Sequence, residues 1–334
     1  PQVVGGRLFI EGPHMLRAVD VYTGRLLWQR ELTDLGKFYD NTSHQPGANE
    51  IGSNYVSVED GIYVVHDRRC LRLDPATGIT MAEFTLPRDS AEDDPPHWGF
   101  VGVYGNLLIA GASPLSIRPG REEDDPPRVT PNAQYASSST RLVVMDRHDG
   151  RVLWHRDAGQ VFRHNAIVAA EGRIFCIDGL SQTSLDLLRR RGEEPDTPAT
   201  ILALNAETGE VAWSAKGSVF GTWLGYSSEH DILLEAGSPA RDRARDEASG
   251  QMAAWRGRDG RLMWREKFRY TGRPMLHDDI IYTEGAAFEL LSGRPKRRID
   301  PLTGKPVRWT FARNYGCNPP VGGRHMLLFR SAAA

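Results

Sequence analysis

Six short segments of this 334-residue chain combine histidine with aromatic, amide and charged residues, the side chains that bind ligands and metals or transfer protons. They recur along the whole chain rather than in one block. Because such residues gain chemical meaning only where they meet, we treat them as one candidate site. Its predicted members are His44, Asn49, Glu50, His97, Trp98, Arg163, His164, Asn165, Trp223, His277, Arg313, Asn314, Tyr315 and Cys317.

The histidines of these segments leave two chemistries open. His44, His97 and His164 could bind a transition metal, since neutral imidazole is its commonest ligand. They could instead act as general acids and bases together with Glu50. Taken singly, His97 or His164 also fits a structural histidine held by hydrogen bonds, so the argument for a site rests on their shared placement.

The aromatic members suggest a flat ligand. Trp98, Trp223 and Tyr315 could stack on a planar cofactor or on a sugar ring. Cys317 could be a nucleophile, although no base stands beside it in the sequence.

A repeated phrase determines how these segments are positioned. It consists of a small polar turn, a glycine and a tryptophan four residues later. The glycines are Gly24, Gly78, Gly150, Gly209, Gly260 and Gly304. Tryptophan follows in five of the six, the last displaced by one residue to Trp309, and the second has Ala82 instead. A fixed phrase at intervals near fifty residues predicts an array of equal supersecondary units.

Each unit is predicted to be a four-stranded antiparallel meander. In the clearest one, residues 54–59 alternate like a strand, Asp60 and Gly61 signal a hairpin, and residues 62–66, 70–74 and 80–84 supply three further strands. One such sheet cannot bury both faces, whereas sheets packed radially can. We therefore predict a β-propeller and assign the repeated tryptophans to packing between its blades rather than to ligand contact.

The predicted fold is all-β, with about six to seven blades in a single domain over residues 1–334 that is incomplete at both ends. A seven- or eight-bladed parent is expected. Residues 1–31 lack an obvious first strand, and residues 315–331 supply the first strands of another blade. Five full blades are expected at about residues 54–87, 97–157, 163–216, 220–268 and 274–311.

The long insertions predict which face of the propeller carries the site. Residues 113–140, 179–199, 237–250 and 285–297 all fall, on this reading, between the second and third strands of a blade. The links from one blade to the next reach the same face, opposite the tight glycine turns. We therefore expect the six polar segments to converge on one funnel there.

The composition narrows the classes of partner that we expect for this chain. The formal net charge is −2, so no strong field predicts nucleic acid as a partner. No apolar run approaches the roughly 20 residues of a membrane span. Cys70, Cys176 and Cys317 are widely spaced and show neither a disulfide framework nor a zinc motif.

The repeated phrase resembles that of the pyrroloquinoline-quinone (PQQ)-type propellers, most clearly over residues 18–28 and 203–213. That superfamily includes quinoprotein alcohol and sugar dehydrogenases and the non-enzymatic BamB-type outer-membrane assembly lipoprotein. Residues 96–100 and 313–318 also resemble segments of PQQ-like repeat proteins from planctomycete-type bacteria. The resemblance covers nearly the whole chain, but the phrase is structural.

The resemblance leaves PQQ as a cofactor without support from the residues. Quinoprotein dehydrogenases often stack the quinone on a ring formed by two adjacent, disulfide-linked cysteines, and this chain has no such pair and no C-x-x-C-H haem motif.

Two functions follow as expectations. The first is a periplasmic or otherwise extracytoplasmic binding or scaffold propeller whose funnel takes a protein partner or a small-molecule or carbohydrate ligand. The alternative is an enzyme with its site in the same funnel, either a quinoprotein-like dehydrogenase or a metal- or histidine-dependent enzyme acting on carbohydrate.

Overall fold

The computed structural model describes residues 1–36, 54–122, 125–216, 219–237, 239, 247–248, 250–310, 321–322 and 327–328. They form β-strands with one α-helix, arranged as four-stranded antiparallel blades of the β-propeller type. The chain divides into two compact units. The first contains residues 1–164, 187–194 and 206–209, and the second contains the remainder. Among the described residues, no helix has the length and apolarity needed to cross a membrane.

The first unit contains three blades. Each strand is hydrogen-bonded to the next in an antiparallel meander. The first blade has β1 (Gln2–Val4), β2 (Arg7–Gly12), β3 (Met15–Asp20) and β4 (Leu26–Glu31), and the second has β5 (Tyr55–Val58), β6 (Gly61–His66), β7 (Arg69–Leu73) and β8 (Thr80–Thr85). The third has β9 (Trp98–Tyr104), β10 (Leu107–Pro114), β13 (Ser138–Asp146) and the first part of β14 (Val152–Ala170), with a ribbon of β11 (Ser116–Arg118) and β12 (Arg128–Thr130) inserted after β10.

The second unit continues the pattern. The end of β14 joins β15 (Arg173–Asp178), β16 (Thr200–Asn205) and β17 (Val211–Lys216), with helix α1 (Gln182–Arg190) between β15 and β16. The next blade has β18 (Trp223–Ser227), β19 (Ile232–Ala236), β20 (Gln251–Arg256) and β21 (Leu262–Lys267). The last has β22 (Met275–His277), β23 (Ile280–Thr283) and β24 (Ala286–Glu289), followed by the ribbon of β25 (Arg297–Ile299) and β26 (Pro306–Arg308) and by the short pair β27 (Val321–Gly322) and β28 (Leu327–Leu328).

The repeated turn joins the third and fourth strands, as predicted. In the first blade, the carboxylate of Asp20 accepts hydrogen bonds from the backbone N–H groups of Tyr22 and Thr23 at 3.0 and 2.8 Å. Those bonds, with that from the Thr23 hydroxyl, lower the pKa of Asp20. Gly24 then takes a left-handed conformation with φ of 71°, which residues other than glycine adopt at a cost.

The repeated tryptophans lie in buried clusters formed by facing blades, which confirms the packing role. In the first unit, Trp28 is buried with Phe9 of its own blade and Ile62 and Leu73 of the next. In the second unit, Trp264 is buried with Ile281 and Phe288 in the same way. Trp154 is equally buried, and Trp213 is partly buried.

Two expectations about the first and second blades change. Residues 1–31 form a complete blade, because Gln2–Val4 pairs with Arg7–Phe9 as a short first strand. That strand is too short for its alternation to stand out in the sequence. The second blade has no tryptophan after its repeated turn. Phe84 packs in its place, with its ring against Gly150 of the third blade's turn.

The last blade departs further from the prediction. Trp264 packs on the turn at residues 289–293. That turn therefore takes the structural place of the sixth repeated turn, which the sequence pattern assigns to residues 300–304. Gly285 stands in the tight turn between β23 and β24, so residues 285–297 are not a second-to-third-strand insertion. The other three long insertions, at residues 113–140, 179–199 and 237–250, do lie between second and third strands.

Candidate functional site

The first unit holds a cavity of about 420 Å³, within the range typical of small-ligand sites. Its walls come from the link after the first blade, the β6–β7 turn, the start of β9 and the insertion that follows β10. The lining residues are Thr33, Asp34, Leu35, Gly36, Asn54, Val65, His66, Asp67, Arg69, Trp98, Gly99, Phe100, Val101, Gln134 and Tyr135.

Three of the lining residues have left-handed backbones although none is glycine. Asp34, Asp67 and Tyr135 have φ of 66°, 58° and 64°. This conformation is uncommon, above all for a bulky residue such as Tyr135, and it concentrates at functional sites. The link after the first blade is held by a 2.7 Å hydrogen bond between Nε2 of His66 and the carbonyl oxygen of Thr33.

The cavity carries an acidic field. Burial raises the pKa of Tyr135 first, and the negative charges of Glu11, Asp34 and Asp67 raise it further. Arg69 also lines the cavity, but its Nη1 lies 2.9 Å from Oε2 of Glu83 and is paired there. The charges that act on Tyr135 are therefore negative.

Glu11, on β2, connects this field to the cavity wall. Its Oε1 accepts a 3.0 Å hydrogen bond from Nδ2 of Asn54, a lining residue. Burial raises the pKa of Glu11 to about 7, and the bond from Asn54 opposes that rise only in part. Gly36, also in the wall, allows this approach, because a β-carbon there would lie 2.8 Å from Oε1 of Glu11.

Among the predicted site residues that the structure describes, Trp98 alone lines the cavity. It is 4% exposed, and its indole N–H has no hydrogen-bond acceptor within the part of the chain that is described. Such an orphan donor calls for a water or ligand acceptor. The neighbouring His97 does not line the cavity. Its backbone N–H donates to Oδ1 of Asn132 at 2.7 Å, and burial lowers the pKa of its imidazole first, with the nearby Arg68 adding to the effect.

His164 lies behind the cavity wall. It is buried, and its Nε2 lies 2.8 Å from the buried hydroxyl of Ser139. Gly99 leaves room for this pair, because a β-carbon there would stand 2.4 Å from the Ser139 oxygen and 2.6 Å from the imidazole. The segments around residues 98 and 164 thus meet within the first unit. Arg163, on β14, stands opposite Ser138 of β13 in the strand register.

In the second unit, the predicted residues lie on separate strands. Asn165 is in β14 and Trp223 begins β18, and both are partly buried. His277 ends β22, with its Nε2 3.8 Å from a carboxylate oxygen of Asp278. The link before Trp223 is held by the buried Glu235, whose carboxylate accepts bonds from the N–H groups of Phe220 and Gly221 and from the indole of Trp255 at 2.7, 2.8 and 2.9 Å.

Half of the predicted set cannot be placed. His44, Asn49, Glu50, Arg313, Asn314, Tyr315 and Cys317 lie outside the described residues. Within the described ranges, no three histidine, cysteine or acidic side chains form a metal-binding group. Convergence of the six segments on one funnel stays a prediction.

Sequence reasoning missed the acidic wall of the cavity. Asp34, Asp67 and Glu11 lie in an ordinary link, a short turn and a strand, where no local pattern predicts a site. Tyr135 lies within the insertion that follows β10 and belongs to no motif. The sequence feature that points to Tyr135 as a site residue is its position in a long loop, three residues after Asn132.

The described cavity does not fit PQQ. That quinone carries three carboxylates, and here they would meet Asp34, Asp67 and the nearby Glu11, while Arg69 is already paired with Glu83. Cys70 and Cys176 are buried on different strands and cannot form the adjacent pair. We derive no reaction step through the quinone.

Comparisons with known proteins agree on the fold. Residues 129–274 match the family model described as outer membrane protein assembly factor BamB. BamB from Moraxella catarrhalis is structurally similar with a TM-score of 0.50 and 13% identity, over 91% of this chain and 70% of that one. No curated protein is significantly similar in sequence.

Two further solved structures show lower similarity. The quinohemoprotein alcohol dehydrogenase from Comamonas testosteroni has a TM-score of 0.48 and 13% identity, over 92% of this chain, which spans 45% of the enzyme. The computationally designed Ika8 protein has a TM-score of 0.47 and 12% identity, over 82% of this chain and 66% of its own.

At such identities the structural similarity to BamB indicates the fold alone. The family match concerns the repeats themselves, which carry the phrase first read from the sequence. The repeats, the family match over residues 129–274 and the shared fold support a relation to the PQQ-type β-propeller superfamily.

Proposed function

We propose that the chain is a binding module, and that the cavity of its first unit binds a small organic cation. The acidic cavity wall carries this proposal: Asp34 and Asp67 line the cavity, and the lining cation Arg69 is paired with Glu83.

The chemistry of the wall fits an amine attached to a ring. A protonated amine is attracted both by carboxylates and by aromatic faces, and Trp98, Phe100 and Tyr135 supply the aromatic surface. The unpaired indole N–H of Trp98 would find an acceptor in a ligand hydroxyl. An amino sugar combines these features, which narrows the carbohydrate ligand expected from the sequence to a cationic one.

A matched pair of sugars tests the proposal. Glucosamine and glucose have the same ring and differ in the amine, so titration of each into the full chain at about pH 6, followed by calorimetry, isolates the charge. We expect glucosamine to bind at least about tenfold more tightly than glucose. Equal affinities would rule out a cation site, and no heat from either sugar would rule out this ligand class.

Two variants place the binding in the cavity. Asp67→Asn removes a charge while keeping a residue that tolerates left-handed backbone, and we expect it to weaken glucosamine binding about tenfold. Asp278→Asn, at an exposed carboxylate of the second unit, is the matched control and should leave binding unchanged. An equal loss in both variants would argue against the cavity.

A scaffold role for a protein partner is compatible with this ligand site. The propeller fold supports a scaffold or partner-binding module, and the matching family model describes an assembly factor. On the same ground we propose an extracytoplasmic, periplasmic location. Fractionation of cells that express the tagged full-length protein would test this location, and recovery with cytoplasmic markers would contradict it.

The enzyme alternative has less support from the described residues. His164, one of its candidate bases, is buried against Ser139, and no metal-binding group forms in the described ranges.

A further inference from the structure

An exposed β-ribbon interrupts the last blade of the second unit. Before the ribbon, the N–H of Lys296 donates to the carbonyl oxygen of Ala287 at 2.9 Å. After the ribbon, the N–H of Ala287 donates to the carbonyl oxygen of Trp309 at 3.2 Å. The N–H of Trp309 in turn donates to the carbonyl oxygen of Lys296 at 2.8 Å. The residues on either side of the ribbon thus bridge to β24, whereas residues 297–308 leave the blade and return as a separate two-stranded sheet.

The base of the ribbon concentrates positive charge. Arg297 stands directly opposite Arg308 in the register, and like charges in that arrangement destabilise a strand pair. Both side chains are exposed, and neither has an ion pair or hydrogen bond to any described residue. Arg298 adds a third exposed cation at the base, while Lys305 and the single acid Asp300 stand at the two ends of the apical turn. This charge arrangement favours an anionic partner.

The upper half of the ribbon exposes apolar side chains. Because side chains alternate along a strand, Ile299 shares the face of Arg297, and its register partner Pro306 shares the face of Arg308. Ile299 is 64% exposed and Leu302, in the turn, is 94% exposed. The ribbon thus has a cationic base and an apex at which exposed apolar side chains flank Asp300 and Lys305.

The spacing of these groups matches a lipid interface. A strand rises about 3.3 Å per residue, so Ile299 lies about 7 Å beyond Arg297 toward the turn. Apolar side chains of interfacial proteins enter the headgroup boundary by roughly 5–10 Å while basic residues remain at the phosphates. An acidic protein segment would explain the cations but not the exposed apolar apex.

We propose that this ribbon docks on an anionic phospholipid surface. Leu302 and Ile299 enter the headgroup region, while Arg297, Arg298, Lys305 and Arg308 contact lipid phosphates. The contact is peripheral and independent of the cavity in the first unit.

Sedimentation with vesicles tests the docking. The full chain is mixed with vesicles of phosphatidylcholine alone or with about 30% phosphatidylglycerol, and the bound fraction is measured at low and high salt. We expect binding only to the anionic vesicles and its loss at high salt. The double variant Arg297→Gln, Arg308→Gln should weaken binding roughly thirtyfold, and Leu302→Ser roughly tenfold.

A matched control exists in the first blade. Tyr22 occupies the same turn position as Leu302, two residues after the capping aspartate, and is 87% exposed, so Tyr22→Ser should bind vesicles like the unchanged chain. Failure of the unchanged chain to bind anionic vesicles, or equal binding to neutral ones, would overturn the proposal. So would an unaffected Leu302→Ser with a weakened arginine variant, because the apolar apex would then take no part in the contact. Glucosamine binding by the same variants reports separately on the cavity.

Discussion

The indole N–H of Trp28 donates a 3.0 Å hydrogen bond to the carbonyl oxygen of Pro75, one residue after the aspartate of the next blade's turn. The same bond recurs along the chain, with carbonyls that occupy the same turn position. It joins Trp154 to Ala206, Trp213 to Gly257 and Trp264 to Leu290, at 3.0, 2.7 and 2.8 Å. Each tryptophan therefore both fills a core and satisfies a turn carbonyl.

Removing one of these rings should cost much of the stability of its unit. We expect Trp154→Ala to lower the free energy of unfolding by about 3–5 kcal/mol, because the ring is buried and no neighbour can fill its space. Urea unfolding followed by circular dichroism measures this. Trp309→Ala is the control, since Trp309 is only partly buried and contacts Tyr282 edge-on, and it should cost clearly less. Equal costs would contradict the packing role.

Two glycines of the repeat separate backbone strain from packing. Gly24 and Gly78 have φ of 71° and 73°, but a β-carbon at Gly24 would meet nothing within 4 Å, whereas one at Gly78 would lie 2.7 Å from the Trp28 ring. We expect Gly24→Ala to cost about 1 kcal/mol and Gly78→Ala to cost about 2–4 kcal/mol. Thermal unfolding of both variants gives the difference. If the costs were equal, ring contact would not be why glycine stands at position 78.

Glu11 should make stability depend on pH. Its pKa is raised from 4.5 to about 7 in the folded chain, so the folded state holds its proton more tightly. The resulting stability is complete below about pH 4.5 and is lost as the pH rises through about 7. Glu11→Gln keeps the acceptor for Asn54 without the charge, and we expect it to be about 2 kcal/mol more stable at pH 8 and similar at pH 4.5.

The control for this prediction is Glu31→Gln, at an exposed position at the end of β4. It removes a carboxylate that is not buried and is compared with Glu11→Gln over the same pH range. Urea midpoints across pH 4–8 supply the comparison, and a flat difference for Glu11→Gln would contradict the buried carboxyl.

Glu235 should be required for the link that leads to Trp223. Glu235→Leu leaves the donors of Phe220, Gly221 and Trp255 without their acceptor, and we expect a loss of roughly 3–5 kcal/mol. Glu235→Gln retains one acceptor oxygen and should lose less. Burial raises the pKa of Glu235 despite these bonds, so a neutral amide is tolerated better than an apolar group. A stable Glu235→Leu chain would show that the link is held elsewhere.

Local features were predictable because short-range physics fixes them. Strand alternation, the aspartate caps and the left-handed glycines follow from a few neighbouring residues, as in the turn at Asp20 and Gly24. The fold class and the packing role of Trp28, Trp154, Trp213 and Trp264 follow from repeating that pattern. The first strand at Gln2 was missed because three residues carry too little alternation.

The last blade shows where the pattern misleads. The turn at Asp300 fits the phrase better than the turn at Glu289, yet Trp264 packs on Gly293 of the latter turn. The phrase records only local turn chemistry, and the choice between two suitable turns depends on where the preceding blade presents its tryptophan.

The candidate site divides in the same way. By itself, the sequence determined the blades, the turns and the links that carry polar residues, because each depends on contacts between near neighbours. Only the tertiary structure decided that Asp34, Asp67, Trp98 and Tyr135 border one cavity, that His164 lies buried against Ser139, and that the ribbon at Arg297 stands outside its blade. These residues are far apart in the chain, and their approach is set by how blades pack within a unit, which no local pattern encodes.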